Sequence, residues 1–324
     1  MIFLAYAVVA ALVVLFSIKC ATYVDLMDKK TNLSGAFIGG VILAAVTSLP
    51  ELFTSITAVV VVNNPELIIG NVLGSNLFNL AALCTLILFT TRYFSKASIA
   101  KSHTTTLTST LILYAVLVVA VMFGKSFSIL TVDITSVIIL VVYVISLRLM
   151  AGDDSAGSDD DTDNSDLTAK QVVIRFILMA LGLVGSSILI TYVTDIIADT
   201  YQLNASLAGA LFLGVATSLP ELTSSITLIK KRNYNATMGN IVGSNLFNLT
   251  IMVVGDILVL NGTVYIPSRQ TNAMIVFGII ASVLMGIVLL LKRKPNQPAK
   301  APVLYGVLAF LIVACYLGFL VYSI

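Results

Sequence analysis

Hydrophobic residues run along this chain in long blocks separated by short polar turns. Ten blocks can be marked, at about 2–18, 33–62, 65–89, 104–123, 130–147, 171–194, 204–229, 235–260, 270–291 and 302–322. Blocks of roughly 18 or more apolar residues have the length of a membrane-crossing helix, whereas barrel strands would alternate over about ten residues. The pattern predicts an all-α integral membrane protein with ten transmembrane helices. The second, third, seventh and eighth blocks are interrupted by Gly, Pro, Ser and Asn, which predicts discontinuous helices there. These interruptions repeat. A-V-T-S-L-P-E, from Ala45 to Glu51, returns as V-A-T-S-L-P-E, from Val215 to Glu221. G-N-V-L-G-S-N-L-F-N, from Gly70 to Asn79, returns as G-N-I-V-G-S-N-L-F-N, from Gly239 to Asn248. Two long matches in the same order mean an internal duplication.

Charge placement gives the duplication a geometry. Apart from Lys125, Arg175 and Arg269, every Lys and Arg lies in the turns after the odd-numbered spans. That bias predicts those turns in the cytoplasm and both chain ends outside the cell membrane. Glu51 then lies in a span that enters from the cytoplasm and Glu221 in one that enters from outside. Five spans separate them, and an odd number inverts the second copy. Residues 1–150 and 167–324 are therefore expected to be two inverted five-helix repeats, a design that places an ion site near the midplane on broken helices. Residues 151–166 hold seven aspartates and read as an acidic, solvated cytoplasmic linker.

Composition agrees: the chain is 58% hydrophobic and only 10% charged, against roughly a quarter charged for a soluble domain. Residues 1–18 show no cleavage site and are expected to be the first span. Cys20, Cys84 and Cys315 lack metal or redox spacing and read as small buried hydrophobes.

The chemistry lies in the duplicated pieces. A carboxylate at the bilayer centre costs about 2.5–3.5 kcal/mol on insertion scales. Glu51 and Glu221 sit near the middle of their spans with no basic residue at comparable depth, so their partner must come from solution. Thr47 and Ser48 precede Glu51 by four and three residues and share its helical face, and Thr217 and Ser218 stand likewise to Glu221. Pro50 and Pro220 remove a backbone donor and are expected to free carbonyls on the preceding turn, with Ala44, Thr47, Gly214 and Thr217 as candidates. Ser75, Asn76 and Asn79, with Ser244, Asn245 and Asn248, add neutral oxygens, and the adjoining glycines permit close approach or unwinding. Hard oxygen ligands without Cys or His favour sodium, calcium or a similar ion over zinc, copper or iron. Asp133, Arg175, Asp195, Asp199 and Asp256 lie near span ends and are expected at the interface or in solvent.

T-S-L-P-E followed by G-N-x-x-G-S-N-x-F-N, twice, over nearly the whole chain, resembles the calcium/cation antiporter superfamily, in particular its prokaryotic sodium/calcium exchanger-like members. The resemblance implies a diamond of ion sites on Glu51, Asn79, Glu221 and Asn248. Thr47, Ser48, Ser75, Thr217, Ser218 and Ser244, with the carbonyls of Ala44 and Gly214, would supply the remaining ligands. It implies export of one calcium for about three sodium ions by alternating access, with spans 1 and 6 sliding past the other eight. No cofactor or nucleic acid is implied; the expected partners are membrane lipid and the two ions, and the expected working unit is a monomer. The chain departs from the family in two ways. Some members carry Asp at one diamond position where this chain has Asn79 and Asn248, which leaves two formal charges. The Gly common before the motif Thr is here Val46 and Ala216.

Two other readings use the same residues. Buried glutamates can also take protons, which gives a proton-coupled cation antiporter on the same fold. A passive cation channel would explain the acids but not the inverted, interrupted repeats. An enzyme is not expected, since no base accompanies the hydroxyl–carboxylate pairs.

Overall fold

A computed structural model describes residues 2–30, 37–60, 66–123, 128–129, 132–151, 167–201, 214–259, 263–265, 267–292 and 301–323. The acidic linker from 152 onward and the first half of the seventh expected span, 204–213, lie outside these residues. Eight helical stretches among those described are long and apolar enough to cross a membrane, and Ile134–Met150 forms a shorter apolar helix. Gly214–Lys230 is the described end of the seventh expected span.

Helix α1 (Ile2–Lys30) continues well past residue 18, where the first span was expected to stop. The reason is a second stripe: Val13, Ser17, Cys20, Ala21, Val24 and Met27 recur at helical spacing and are all buried, while Lys19 points away from them into an exposed position. That stripe packs on α7 (Ala169–Thr200) along its whole length. The Phe3 and Tyr201 rings meet at one end, Phe16 lies against the Gly182 backbone in the middle, and Lys30 Nζ donates to the Leu167 carbonyl at the other. The two helices are thus antiparallel. With Ile38 and Leu43 they form a hydrophobic cluster distinct from the main core.

The second span is interrupted. A π-helical stretch, Ile38–Leu43, leads into the short α2 (Ala44–Thr47); the chain turns at Ser48 (φ −89°, ψ 4°) and resumes as α3 (Leu49–Val60). The third and eighth spans do not break. α4 (Glu66–Phe94) and α9 (Tyr234–Leu258) each run through their G-S-N-L-F-N pieces as helix. Asn in a helix disturbs it when its side chain bonds back to local backbone. Here the asparagine amides bond to other helices instead, so neither helix has cause to open. Close contact is made in the second copy only: a Cβ on Gly243 would lie 2.0 Å from the Gly40 carbonyl, and one on Gly39 of the second span would lie 2.5 Å from that of Ala236, whereas at Gly70 and Gly74 a Cβ meets nothing within 4 Å. α8 (Gly214–Lys230) contains Pro220 without a break in the described part.

The remaining elements surround this centre. They are α5 (Ser102–Phe123), a small hairpin of β1 (Ser128–Ile129) and β2 (Val132–Asp133), α6 (Ile134–Ala151), α10 (Arg269–Lys292) and α11 (Ala301–Ser323). The main core lies between α4, α5, α9, α10 and α11. Two aspartates expected at the interface or in solvent are buried. Asp256, near the end of α9, accepts from the Asp133 N–H at 2.8 Å and from Ser136 Oγ at 2.7 Å, and Asp133 caps α6 through the Thr135 N–H. Each carboxylate is held by the donors of a helix start, which removes its need for water. Arg175 is exposed, as expected.

The Gly40–Gly243 contact leaves no room for a methyl group. Gly243→Ala is expected to destabilise the protein by about 1–3 kcal/mol, seen as a lower unfolding temperature in detergent. Gly185→Ala on α7, where a Cβ meets nothing within 4 Å, should leave that temperature unchanged or raise it slightly.

Candidate functional site

Glu51 opens α3 directly after the turn at Ser48, and Glu221 follows Pro220 inside α8. Both side chains are 0% exposed and lie close enough to interact electrostatically with each other. Among the described residues neither has a cationic partner; the ion pair present, Lys231–Asp25 at 3.2 Å, belongs to the turn after α8. Two adjacent buried carboxylates with no internal counter-charge would be strongly unfavourable if nothing came to them.

Each glutamate has polar neighbours from both copies. Ser48 Oγ donates to Glu221 Oε1 at 3.1 Å, and Thr47 and Ser244 also neighbour that carboxylate. The polar neighbours of the Glu51 carboxylate are Thr217 and Ser75. The Ala44 carbonyl lies 3.3 Å from both Thr47 Oγ1 and Ser244 Oγ. It keeps its backbone bond to the Ser48 N–H at 3.1 Å, so Pro50 does not free it outright; its second lone pair faces the hydroxyls. Ser218 is buried three residues before Glu221, and Gly214 is the first residue of α8.

The asparagines form a reciprocal lattice between α4 and α9. Asn76 Nδ2 donates to the Asn245 carbonyl and Asn245 Nδ2 to the Asn76 carbonyl, both at 3.0 Å. The Oδ1 atoms of that pair then accept from Asn248 Nδ2 at 3.0 Å and Asn79 Nδ2 at 3.1 Å. With their donors used in this way, Asn79 and Asn248 must turn their own Oδ1 atoms elsewhere. Those two oxygens are buried without a hydrogen-bond partner, as are both oxygens of Glu51 and Oε2 of Glu221. Asn79 lies one turn beyond Ser75 and Asn248 one turn beyond Ser244, on the same helices as those neighbours of the glutamates. Acceptors held in low dielectric with no donor facing them are what a desolvated cation requires. The oxygen set is small and hard, and the described residues contain no cluster of three or more His, Cys, Asp or Glu to suggest a soft metal.

The sequence motif contains two further participants that were not singled out there. Asn71 Nδ2 donates to the Glu51 carbonyl at 3.1 Å and to Ser55 Oγ at 3.0 Å. Asn240 Nδ2 reaches the Glu221 carbonyl at 3.5 Å, Ser224 Oγ at 2.9 Å and Ser225 Oγ at 3.3 Å. Their repetition as the N of G-N in both copies was the available signal. Ser17 on α1 also bonds at the site's edge, donating to the Pro220 carbonyl at 2.7 Å and accepting from Thr223 Oγ1 at 2.7 Å.

Comparison with known proteins came down to one family. A family model described as sodium/calcium exchanger protein matches residues 1–152 and 171–324. An uncharacterised membrane protein, MJ0091, of Methanocaldococcus jannaschii is 29% identical over 223 residues, 67% of this chain and 68% of the relative. A putative antiporter, CaxA, of Alkalimonas amylolytica is 28% identical over 239 residues, 71% of this chain and 72% of the relative. A solved structure of the sodium-calcium exchanger NCX_Mj has the same fold, with a TM-score of 0.70 at 22% identity, covering 97% of this chain and 99% of the other.

The asparagine lattice makes a symmetric prediction. Asn76→Ala orphans the Asn248 donor and Asn245→Ala orphans the Asn79 donor, each a buried group worth about 1–3 kcal/mol when unsatisfied. The two variants should lose similar amounts of thermal stability, measured through exposure of the buried thiols of Cys20 and Cys84 to a maleimide dye.

Proposed function

Because the chain belongs to the sodium/calcium exchanger protein family, we propose that it is an electrogenic sodium/calcium antiporter, exporting one calcium for about three sodium ions through the site between Glu51 and Glu221. A chain of that family is a membrane transporter and not an enzyme, and its cargo is cations. The single observation that carries the finer reading is the set of buried oxygens without donors: both of Glu51, Oε2 of Glu221, and Oδ1 of Asn79 and Asn248.

The mechanism follows from charge and exclusion. Two carboxylates neutralise one calcium. Three sodium ions at the same carboxylates leave one positive charge in excess, spread over the neutral oxygens of Thr47, Ser48, Ser75, Thr217, Ser218, Ser244, Asn79 and Asn248 and the carbonyls of Ala44 and Gly214. Both loads need Glu51 and Glu221, so binding of one expels the other, and two gradients are coupled without a further energy source. Alternating access is assigned to the α1–α7 pair, which packs against the second span, α8 and α9 through a hydrophobic cluster separate from the main core. Inverted repeats at 1–150 and 167–324, an acidic cytoplasmic linker between them, extracellular termini and a working monomer in the cell membrane complete the proposal. The matched bonds made by equivalent residues of the two copies support the repeat.

The test is calcium-45 uptake into proteoliposomes loaded with sodium, with potassium, or with buffer under an imposed pH gradient. Uptake is expected with internal sodium alone, and Glu51→Gln and Glu221→Gln should each abolish it. Since three sodium ions leave for each calcium that enters, an inside-positive potential set with valinomycin should accelerate uptake and an inside-negative one slow it. Uptake driven by the pH gradient without sodium would replace this reading with proton coupling, and calcium entry with no counter-ion would replace it with a channel.

A further inference from the structure

We infer that Asn240 is a positioning residue that turns the Thr47 hydroxyl into a cation ligand by giving its proton somewhere else to go; the inference rests on the proposed function and deepens it. The argument begins with the orientation of the Asn240 amide. Ser224 Oγ donates its one proton to the Glu221 carbonyl at 3.1 Å, so toward Asn240, at 2.9 Å, it can only accept. The Glu221 carbonyl at 3.5 Å is likewise an acceptor. That end of the amide must therefore be the NH2, and Oδ1 points the opposite way.

Oδ1 lies 3.3 Å from Thr47 Oγ1, at the far side of the site from the serines that fix it. The Thr47 hydroxyl has one proton and several acceptors within reach: Oδ1 of Asn240 and the carbonyl of Ala44, both at 3.3 Å, Ser244 Oγ at 3.4 Å and the neighbouring Glu221 carboxylate. The choice matters because Ala44 and Thr47 are both expected ligands. With the proton on Ala44, the hydroxyl occupies a carbonyl lone pair and presents hydrogen where a cation needs oxygen. With the proton on Asn240, the Thr47 oxygen keeps its lone pairs for the space beside Ser244 Oγ and the Glu221 carboxylate, while the Ala44 carbonyl goes on accepting from the Ser48 N–H and Ser244 Oγ. Asn240 itself, 0% exposed and engaged at both ends of its amide, touches no ion. It joins the copies: it is fastened to α8 and acts on α2.

A residue that acts through Thr47 loses its effect when the hydroxyl is gone. The measurement is displacement of calcium-45 by sodium from purified protein in detergent, for the parent, Asn240→Leu, Thr47→Val and the double variant. Asn240→Leu should raise the half-displacing sodium concentration about 3- to 10-fold, the size of one neutral hydrogen bond. In the Thr47→Val background the same change should add less than about 2-fold. Multiplicative effects in the double variant would overturn the inference, since a merely structural loss does not depend on the hydroxyl. If Asn240→Leu does not fold, Ser224→Ala combined with Ser225→Ala frees the amide to turn. A smaller rise in the sodium requirement that vanishes with Thr47→Val supports the inference, and one that persists overturns it. A parent protein from which sodium displaces no calcium overturns the proposed function and this inference together, whereas displacement with multiplicative variants overturns this inference alone.

Discussion

Two interacting carboxylates lie in the apolar interior with no positive charge among the described residues to meet them, and the surrounding polar groups are arranged around that condition. Water cannot reach Glu51 or Glu221, and hydrogen bonding covers only one of their four oxygens, through Ser48. An arrangement so unfavourable alone calls for a cation from solution, which is what the proposed function supplies. Neutral oxygens from both copies then set how much further charge can be accommodated.

Holding those neutral oxygens in place requires rigid helices, and this explains where the structure parts from the sequence reading. Gly and Asn in the third and eighth spans suggested unwinding, because in isolation both weaken a helix. In the folded chain the glycines admit the π-helical stretch of the second span against α9, and the asparagines spend their amides on one another across α4 and α9. Among the described residues the second span breaks at Ser48, where it delivers the Ala44 carbonyl and the Thr47 and Ser48 hydroxyls from the end of a short helix while Glu51 lies at the start of the next; α4 kinks only beyond its motif, at Thr90 (φ −126°, ψ 18°).

The doubled motifs pointed to the candidate site before any coordinates: Glu51 and Glu221 stand out as acids deep in apolar sequence, whereas Asn79 and Asn248 were distinguished from Asn76 and Asn245 only by the family resemblance. The span count was also legible in its outline, because hydropathy is read residue by residue. What stayed hidden depends on pairs. Nothing local marks Asn240 as facing Thr47, 193 residues away, or Asp256 as receiving Ser136 rather than water. The extension of α1 to Lys30 was hidden for a related reason: Lys19 and Asp25 interrupt the apolar run, and only the partner helix reveals that Cys20, Ala21 and Val24 continue a buried stripe around them.

The fastening of α1 to α8 has an evolutionary consequence. Ser17 is bonded to the Pro220 carbonyl and Thr223, and Asp25 to Lys231 and Asn233 in the turn beyond α8. Counting by the offset between the two motifs, Thr223 corresponds to Phe53 and Lys231 to Val61, neither of which can make such a bond. After duplication the two halves kept a common ion-binding vocabulary but diverged in what restrains their outer helices. The two motif copies are thus alike at the glutamates and unlike at the outer helices, so a displacement of α1 meets restraints that the side chains at positions 53 and 61 could not reproduce for the other copy.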